Sequence, residues 1–301
     1  MANIRPTTTE CTGVVGKGMK VLITGAKGQL GHDVLIELRA RGATCLGVDR
    51  GEFDITDRAA IRSVILDYRP EAVIHCAAYT AVDRAEDETE LCQAVNVVGT
   101  RNVVEACASL NAKLLYVSTD YVFDGRGSKP WEVGDIAHPV NAYGLSKWQG
   151  EQMVRSLTDN HFIVRISWVF GTNGANFVKT MLRLAERGEL GVVSDQVGSP
   201  TYTKDAATLF CDMIAGEEYG TYHATNEGYC SWYEFAKEIF HVAGMNVRVY
   251  PLTTEQYPTK ARRPLNSRLS KTSLDASGFN RLPAWQDALT RYLAEVGCRS
   301  V

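Results

Sequence analysis

The chain has 301 residues, of which 45% are hydrophobic and 22% charged, with a formal net charge of −3. That length supplies a real core for one large domain or two smaller ones. The charge gives no basic field for a nucleic acid, and no apolar run reaches the roughly 18–20 residues that span a bilayer.

Residues 1–18 show neither periodicity nor the apolar stretch of a signal peptide, and read as a tag or disordered extension ahead of Met19. "MKVLITG" (19–25) is a β-branched apolar run ended by glycine, the pattern of a buried strand. The following stretch puts Leu30, Val34, Leu35 and Leu38 on one helical face, with Gly42 as its stop. A strand at 43–49, a helix closed by Pro70, a strand at 71–78 and a helical segment over 87–110 come next. Then follow a strand at 112–120, a helix over 140–157 and a strand at 162–171. This alternation predicts an α/β fold, a Rossmann-type doubly wound parallel sheet over 19–170. Such sheets bind ligands at the carboxyl ends of their strands. Beyond 170 the pattern loosens. Two loop-like stretches, 195–205 and 257–268, flank a helix over 231–244 with Ser231 as cap and Glu234 three residues on. Residues 171–301 are therefore expected to form mainly a smaller substrate-binding α/β region, with the chain able to cross back into the first domain.

The eight cysteines include no Cys-x-x-Cys pair, which argues against zinc. Several lie in apolar runs, as small buried hydrophobes of a reducing compartment do, and the expected location is the cytoplasm.

"TGAKGQLG" carries Gly25, Gly28 and Gly31 between a strand and a helix. In that context the spacing predicts a dinucleotide site: a tight turn, a close backbone approach to pyrophosphate, and close helix–strand packing. Helix N-terminal amides then hold the anion. Asp49, at the end of the second strand, suits a ribose 2′-hydroxyl, whereas Arg50 suits a 2′-phosphate. The pair leaves NADH and NADPH both open. Asp54 and Ile55 are placed beside the adenine, and Asp57 caps the next helix.

Ser118 and Thr119 end the fourth strand, and Tyr143 and Lys147 follow one helical turn apart. Residues i and i+4 share a helix face. An ammonium beside a phenol stabilises the phenolate and lowers its pKa, so Tyr143 can protonate the oxygen formed as hydride reaches a carbonyl, and Thr119 can hold that oxygen. Behind a glycine loop, this set resembles the short-chain dehydrogenase/reductase superfamily, in particular its extended branch, which acts largely on nucleotide-sugars.

The motifs "HCAAYTAVDRAE", "STDYVFDG", "YGLSKWQGE", "RISWVFG", "DQVGSPT" and "YPTKARRPLNSRL" occur in that order and resemble the dTDP-4-dehydrorhamnose reductase family from Met19 to about residue 292. The resemblance implies reduction by NAD(P)H of the C4 ketone of dTDP-4-dehydro-L-rhamnose. It makes Tyr143 the proton donor, has Thr119 polarise the ketone, and has Lys147 hold the nicotinamide ribose and lower the tyrosine pKa. Gly28, Gln29 and Leu30 then contact pyrophosphate, and Ala77, Ala78, Tyr79 and Thr80 lie beside ribose and nicotinamide. Val82, Asp120 and Trp168 line the sugar pocket, and Arg263, a guanidinium suited to phosphate, meets the nucleotide diphosphate. Some family members dimerise through acidic residues and Mg²⁺. Asp33 stands at one such place, but 198–210 brings no matching acidic cluster. That argues against a metal bridge and leaves monomer and homodimer open; the hydride chemistry needs no metal. Two alternatives carry other functions: a reductase of another nucleotide-4-ketodeoxysugar, and a dinucleotide-binding regulatory subunit of the methionine adenosyltransferase type. The retained Thr119, Tyr143 and Lys147 weigh against the second.

Overall fold

The computed structural model describes residues 15, 18–51 and 54–298. Phe53 and most of the expected extension lie outside them. Five strands come from residues before 170: β1 (Lys20–Thr24), β2 (Thr44–Val48), β3 (Ala72–His75), β4 (Lys113–Thr119) and β5 (His161–Ile166). A sixth, Gly220–His223, comes from the second half, and the order is 220–223, β5, β4, β3, β1, β2, every pairing parallel. Successive side chains face opposite layers, as the two-residue repeat of a strand requires. Val21, Ile23, Ile74, Leu115 and Phe162 join one cluster, and Leu22, Val73, Leu114, Tyr116 and Ile163 the other. Burial on both faces explains why these strands read as continuous apolar runs.

The first cluster packs under α1 (Gln29–Ala40), whose Leu30, Val34 and Leu38 are buried as expected. The second packs under α2 (Arg58–Tyr68), capped by Asp57, which accepts from Ala59 N at 2.9 Å and Ala60 N at 3.1 Å. The expected single helix over 87–110 is divided. It runs as α3 (Thr89–Gln93), a π-helical stretch Ala94–Gly99, and α4 (Thr100–Ser109). π turns often mark functional sites, and this one lies beside the cleft. Next come α5 (Ala142–Leu157), α6 (Phe177–Leu184), α7 (Thr203–Ala215), α8 (Trp232–Val242), α9 (Thr272–Ala276) and α10 (Trp285–Glu295).

Two expectations change. The strand read over 162–171 stops at Ile166, because Trp168 turns into the left-handed region at φ 50° and cannot continue the ladder. Val169–Phe170 pairs with Thr201–Tyr202 instead, outside the main sheet. Val15, read as part of the extension, is fully buried in the first cluster, and Gly18 N donates to Gly42 O at 3.0 Å.

A second body gathers α6, α8 and α10 around Phe170, Phe235 and Tyr292, with Glu189–Val193 paired to Arg248–Leu252. The capping box of α8 is present: Ser231 N donates to Glu234 Oε2 at 2.7 Å and Glu234 N to Ser231 Oγ at 3.1 Å. After α6 the chain returns to the first body, where α7 packs on α1 and Gly220–His223 extends the sheet. Among the described residues no helix is long and apolar enough to cross a membrane.

Candidate active site

A cleft of ≈ 690 Å³ opens at the carboxyl ends of β1 to β5. The loop between β1 and α1 forms one wall. Gly25 has φ 69°, and a Cβ there would lie 2.7 Å from Ala77 N; one on Gly31 would lie 2.2 Å from Gly25 O. Any side chain at either place would push apart the turn and the helix. Gly28 caps α1 without a side-chain hydrogen bond, and Gln29, Leu30 and Gly31 of the first turn line the cleft, a place where helix amides suit an anion. Asp49 accepts from Lys27 N and Arg50 N, each at 2.8 Å, and so braces the glycine loop against the end of β2. Lys27, Asp49 and Arg50 all line the cleft, with Lys27 Nζ beside Gly51. Asp54 accepts from Thr56 N and Thr56 Oγ1, both at 2.9 Å, and these bonds hold its carboxyl below the usual range. Ile55 packs where a Cβ on Gly99 would stand, and Asn102 Nδ2 donates to its carbonyl at 3.0 Å.

The chain after β3 forms the next wall, with Ala77, Ala78, Tyr79, Thr80 and Val82. Asn96, from the π turns, grips Tyr79 twice: it accepts from Tyr79 N at 2.8 Å and donates to Tyr79 O at 3.1 Å. Asn96 Nδ2 also donates to Ser146 Oγ at 2.9 Å, tying this wall to α5.

Tyr143 and Lys147 stand on α5, whose cap Asn141 accepts from Gly144 N at 2.7 Å. A Cβ on Gly144 would lie 2.2 Å from Tyr121 O, so the helix rests directly on the turn after β4. Thr119 Oγ1 donates to Asp120 Oδ1 at 3.1 Å and accepts from Tyr121 N at 3.2 Å. Asp120 is buried, its Oδ2 has no partner, and burial pushes its carboxyl up to about 6. The Tyr143 ring meets Tyr121 edge-on at 5.6 Å. Burial raises the Tyr143 phenol, a hydrogen bond with Thr119 lowers it, and Asp120 and Tyr121 raise it again. Burial is the largest of these causes, and the net shift of the phenol is upward. Lys147 Nζ lies 4.1 Å from the centre of the Tyr116 ring, and burial pushes its own pKa down to about 7 while Glu151 works to raise it. Glu151, one turn on, is fully buried. It accepts from Ser118 Oγ at 2.6 Å and from Arg165 Nε and NH2, each at 2.8 Å, fastening α5 to β4 and β5.

Every predicted site residue lines this cleft except Arg263. Its guanidinium donates to Asp83 Oδ2 at 2.6 Å and to Tyr121 OH at 3.0 Å, next to the cleft wall rather than in it. Asp33 lies elsewhere. It accepts from Thr203 Oγ1, and the nearby cation Lys204 pairs with Glu295 at 2.5 Å. Among the described residues of this single chain there is no group of three or more His, Cys, Asp or Glu that could hold a metal ion. Sequence reasoning missed the residues that support the lining: Asn96, Glu151, and also Asn173, whose Nδ2 donates to Lys27 O at 2.7 Å and hooks the 171–176 loop onto the glycine loop. Lys27 and Tyr121 were visible inside quoted motifs; the asparagines carry no signal of their own.

A dTDP-4-dehydrorhamnose reductase of Aggregatibacter actinomycetemcomitans is 44% identical to this chain over 284 residues, covering 90% of the chain and 97% of the relative. The family described as RmlD substrate binding domain matches residues 19–298. The chain belongs to the dTDP-4-dehydrorhamnose reductase family. Within that family, the crystal structure of the Bacillus anthracis reductase in complex with NADP superposes with a TM-score of 0.90 at 44% identity, covering 92% of this chain and 99% of that one. The spore coat polysaccharide biosynthesis protein SpsK of Bacillus subtilis is 40% identical over 277 residues, 92% of this chain and 97% of SpsK. Membership in this reductase family makes the protein an oxidoreductase, the class to which Thr119, Tyr143 and Lys147 pointed.

Proposed function

We propose that the protein reduces the C4 ketone of dTDP-4-dehydro-L-rhamnose to dTDP-L-rhamnose with NADPH or NADH. The observation that carries this reading is the meeting of Thr119, Tyr143 and Lys147 with the glycine loop in one cleft. The cleft fits a nicotinamide dinucleotide: Gly25 and Gly31 leave the space a Cβ would fill, and the first turn of α1 lines it. When bound, the reduced nicotinamide supplies a hydride. Gly28, Gln29 and Leu30 hold the pyrophosphate, and Lys27 and Arg50 flank the end of β2, where two cations suit a 2′-phosphate. That charge pattern favours NADPH. Asp54 and Ile55 seat the adenine, and Ala77 to Thr80 seat the ribose and nicotinamide.

Thr119 holds the substrate oxygen. Tyr143 gives it the phenol proton, which burial keeps in place at neutral pH until an oxyanion forms. Lys147 in its cationic form orients the ribose and stabilises the phenolate left behind. Asp120, with one unpartnered oxygen, accepts a sugar hydroxyl, and Val82 and Trp168 supply apolar contact. Arg263 reaches a nucleotide diphosphate by exchanging Asp83 for phosphate. We place the enzyme in the cytoplasm, where the seven cysteines among the described residues stay as the unpaired thiols found here.

The test mixes purified protein with NADPH and freshly made dTDP-4-dehydro-L-rhamnose, follows the reduced nicotinamide by absorbance, and identifies the sugar. Formation of dTDP-L-rhamnose supports the reading. Bound NADPH without oxidation would refute this substrate and direct the search to other nucleotide-4-ketodeoxysugars.

A further inference from the structure

Trp168 is a bulky residue in the left-handed region, with φ 50°. A side chain of that size holds such a backbone only where its neighbours over-determine it. The 198–201 segment fixes the main chain. Thr201 N donates to Trp168 O at 3.1 Å, Ser167 Oγ to Ser199 O at 2.7 Å, and Thr201 Oγ1 to Ser167 O at 2.6 Å. Gly198 makes room for the ring: a Cβ there would lie 3.0 Å from Trp168 Cε2 and 3.1 Å from Cζ2. The indole face is covered by Trp232, the first residue of α8, at 3.6 Å between centroids and 14° from parallel. Trp232 rests in turn on Phe177, 4.6 Å away, at the start of α6. Trp168 lines the cleft and Trp232 does not.

We propose that Trp232 is a positioning residue for the ketosugar: stacked on Trp168 from outside the cleft, it fixes the one orientation in which that indole forms part of the sugar wall. This rests on the reading of Trp168 as a sugar contact. The remaining surface of the indole is apolar and suits the C–H-rich flank and methyl group of a deoxyhexose rather than its hydroxyls. The short strand Cys230–Ser231 and the Ser231–Glu234 capping box fix where α8 begins, and so where Trp232 stands. The second body thus sets the sugar pocket without entering it.

The test compares wild type with Trp168→Leu, Trp232→Leu, Trp232→Phe and Gly198→Ala. It measures kcat, both KM values and the far-ultraviolet circular dichroism couplet of two stacked indoles. Wild type should show the couplet, and both leucine variants should lose it. Trp232→Leu should raise the ketosugar KM about three- to ten-fold, the scale of one lost aromatic contact. Its KM for NADPH should stay within about two-fold, and kcat should change less than the ketosugar KM. Trp232→Phe keeps an aromatic face and should recover most of the loss without restoring the couplet. Loss of the couplet with an unchanged ketosugar KM would overturn the proposal, and so would a parallel rise in the KM for NADPH. Should Trp232→Leu fail to fold, Gly198→Ala decides: its new Cβ meets Ser267 Cβ at 2.9 Å and the indole at 3.0 Å, so a raised ketosugar KM with a weakened couplet supports the proposal, and an unchanged KM, or a raised KM with the couplet intact, overturns it. A wild type that oxidises no NADPH with the ketosugar, or a Trp168→Leu variant with normal KM, would instead remove the reading beneath it.

Discussion

Tyr143 keeps its proton because burial penalises the phenolate, with Thr119 as the moderating partner. Removing the hydroxyl in Tyr143→Phe should therefore lower kcat by about 10²–10⁴-fold, the range of general acid catalysis, while NADPH titration by fluorescence stays near normal. Substantial residual turnover would rule out the proton-donor role. Lys147 sets a pH limit of its own. Its pKa, ordinarily 10.5, is pushed by burial to about 7, so the ammonium is present below that value and lost above it. The profile of kcat/KM should fall as pH rises through about 7, since that ratio reports the free enzyme. A profile flat to pH 9 or so would show that Lys147 stays charged or is dispensable. The placement of Tyr143 and Lys147 was legible because both lie on one helix after a strand ending in Ser118–Thr119. The charge state of Lys147 was not, because it depends on Tyr116 and Glu151, which no local motif connects to it.

Among the elements, the glycine loop shows how little latitude the β1–α1 junction has. Gly31→Ala places a Cβ against the Gly25 carbonyl, a contact no real structure tolerates. The helix must shift, and we expect the variant to lose NADPH binding while keeping the sheet, as seen by calorimetric titration beside far-ultraviolet circular dichroism. Tight NADPH binding by Gly31→Ala would refute the close-packing account. The β1, α1 and β2 pattern could be read residue by residue because its spacing is short and its burial periodic. Two other elements could not. The π turns at Ala94–Gly99 look helical in the sequence, and their widening appears only where Asn96 grips Tyr79. The break at Trp168 is hidden in an apolar run, since nothing local marks a left-handed tryptophan held by Trp232 and Gly198.

The whole molecule carries two histidines deep in its interior, His75 beneath the cleft and His223 against Arg165. Burial pushes both down to about 3 from the ordinary 6.5. Below about 6.5 the unfolded chain binds protons that the folded chain refuses, so stability falls as pH falls, by about 1.4 kcal/mol per unit for each histidine. Asp120, pushed up to about 6, has the opposite sign between that value and its ordinary 3.8, and offsets one histidine there. Urea midpoints should therefore drop most steeply between about pH 6.5 and 6, then more gently; a midpoint constant down to pH 5 or so would show that the two imidazoles protonate in place. At this scale the fold class was legible from alternation alone, whereas the return of the chain into the sheet was not, because Gly220–His223 is short and earns its place only by pairing with β5. That return has a consequence for biosynthesis. Until residue 223 has left the ribosome, β5 is an unpaired edge, and until α7 emerges, the face of α1 it covers stays bare. The sheet and the outer face of α1 are therefore completed only by residues made later, although every residue lining the cleft lies before residue 170. During synthesis the cleft-forming residues thus emerge first and wait, with one sheet edge open, for the segments that buttress them.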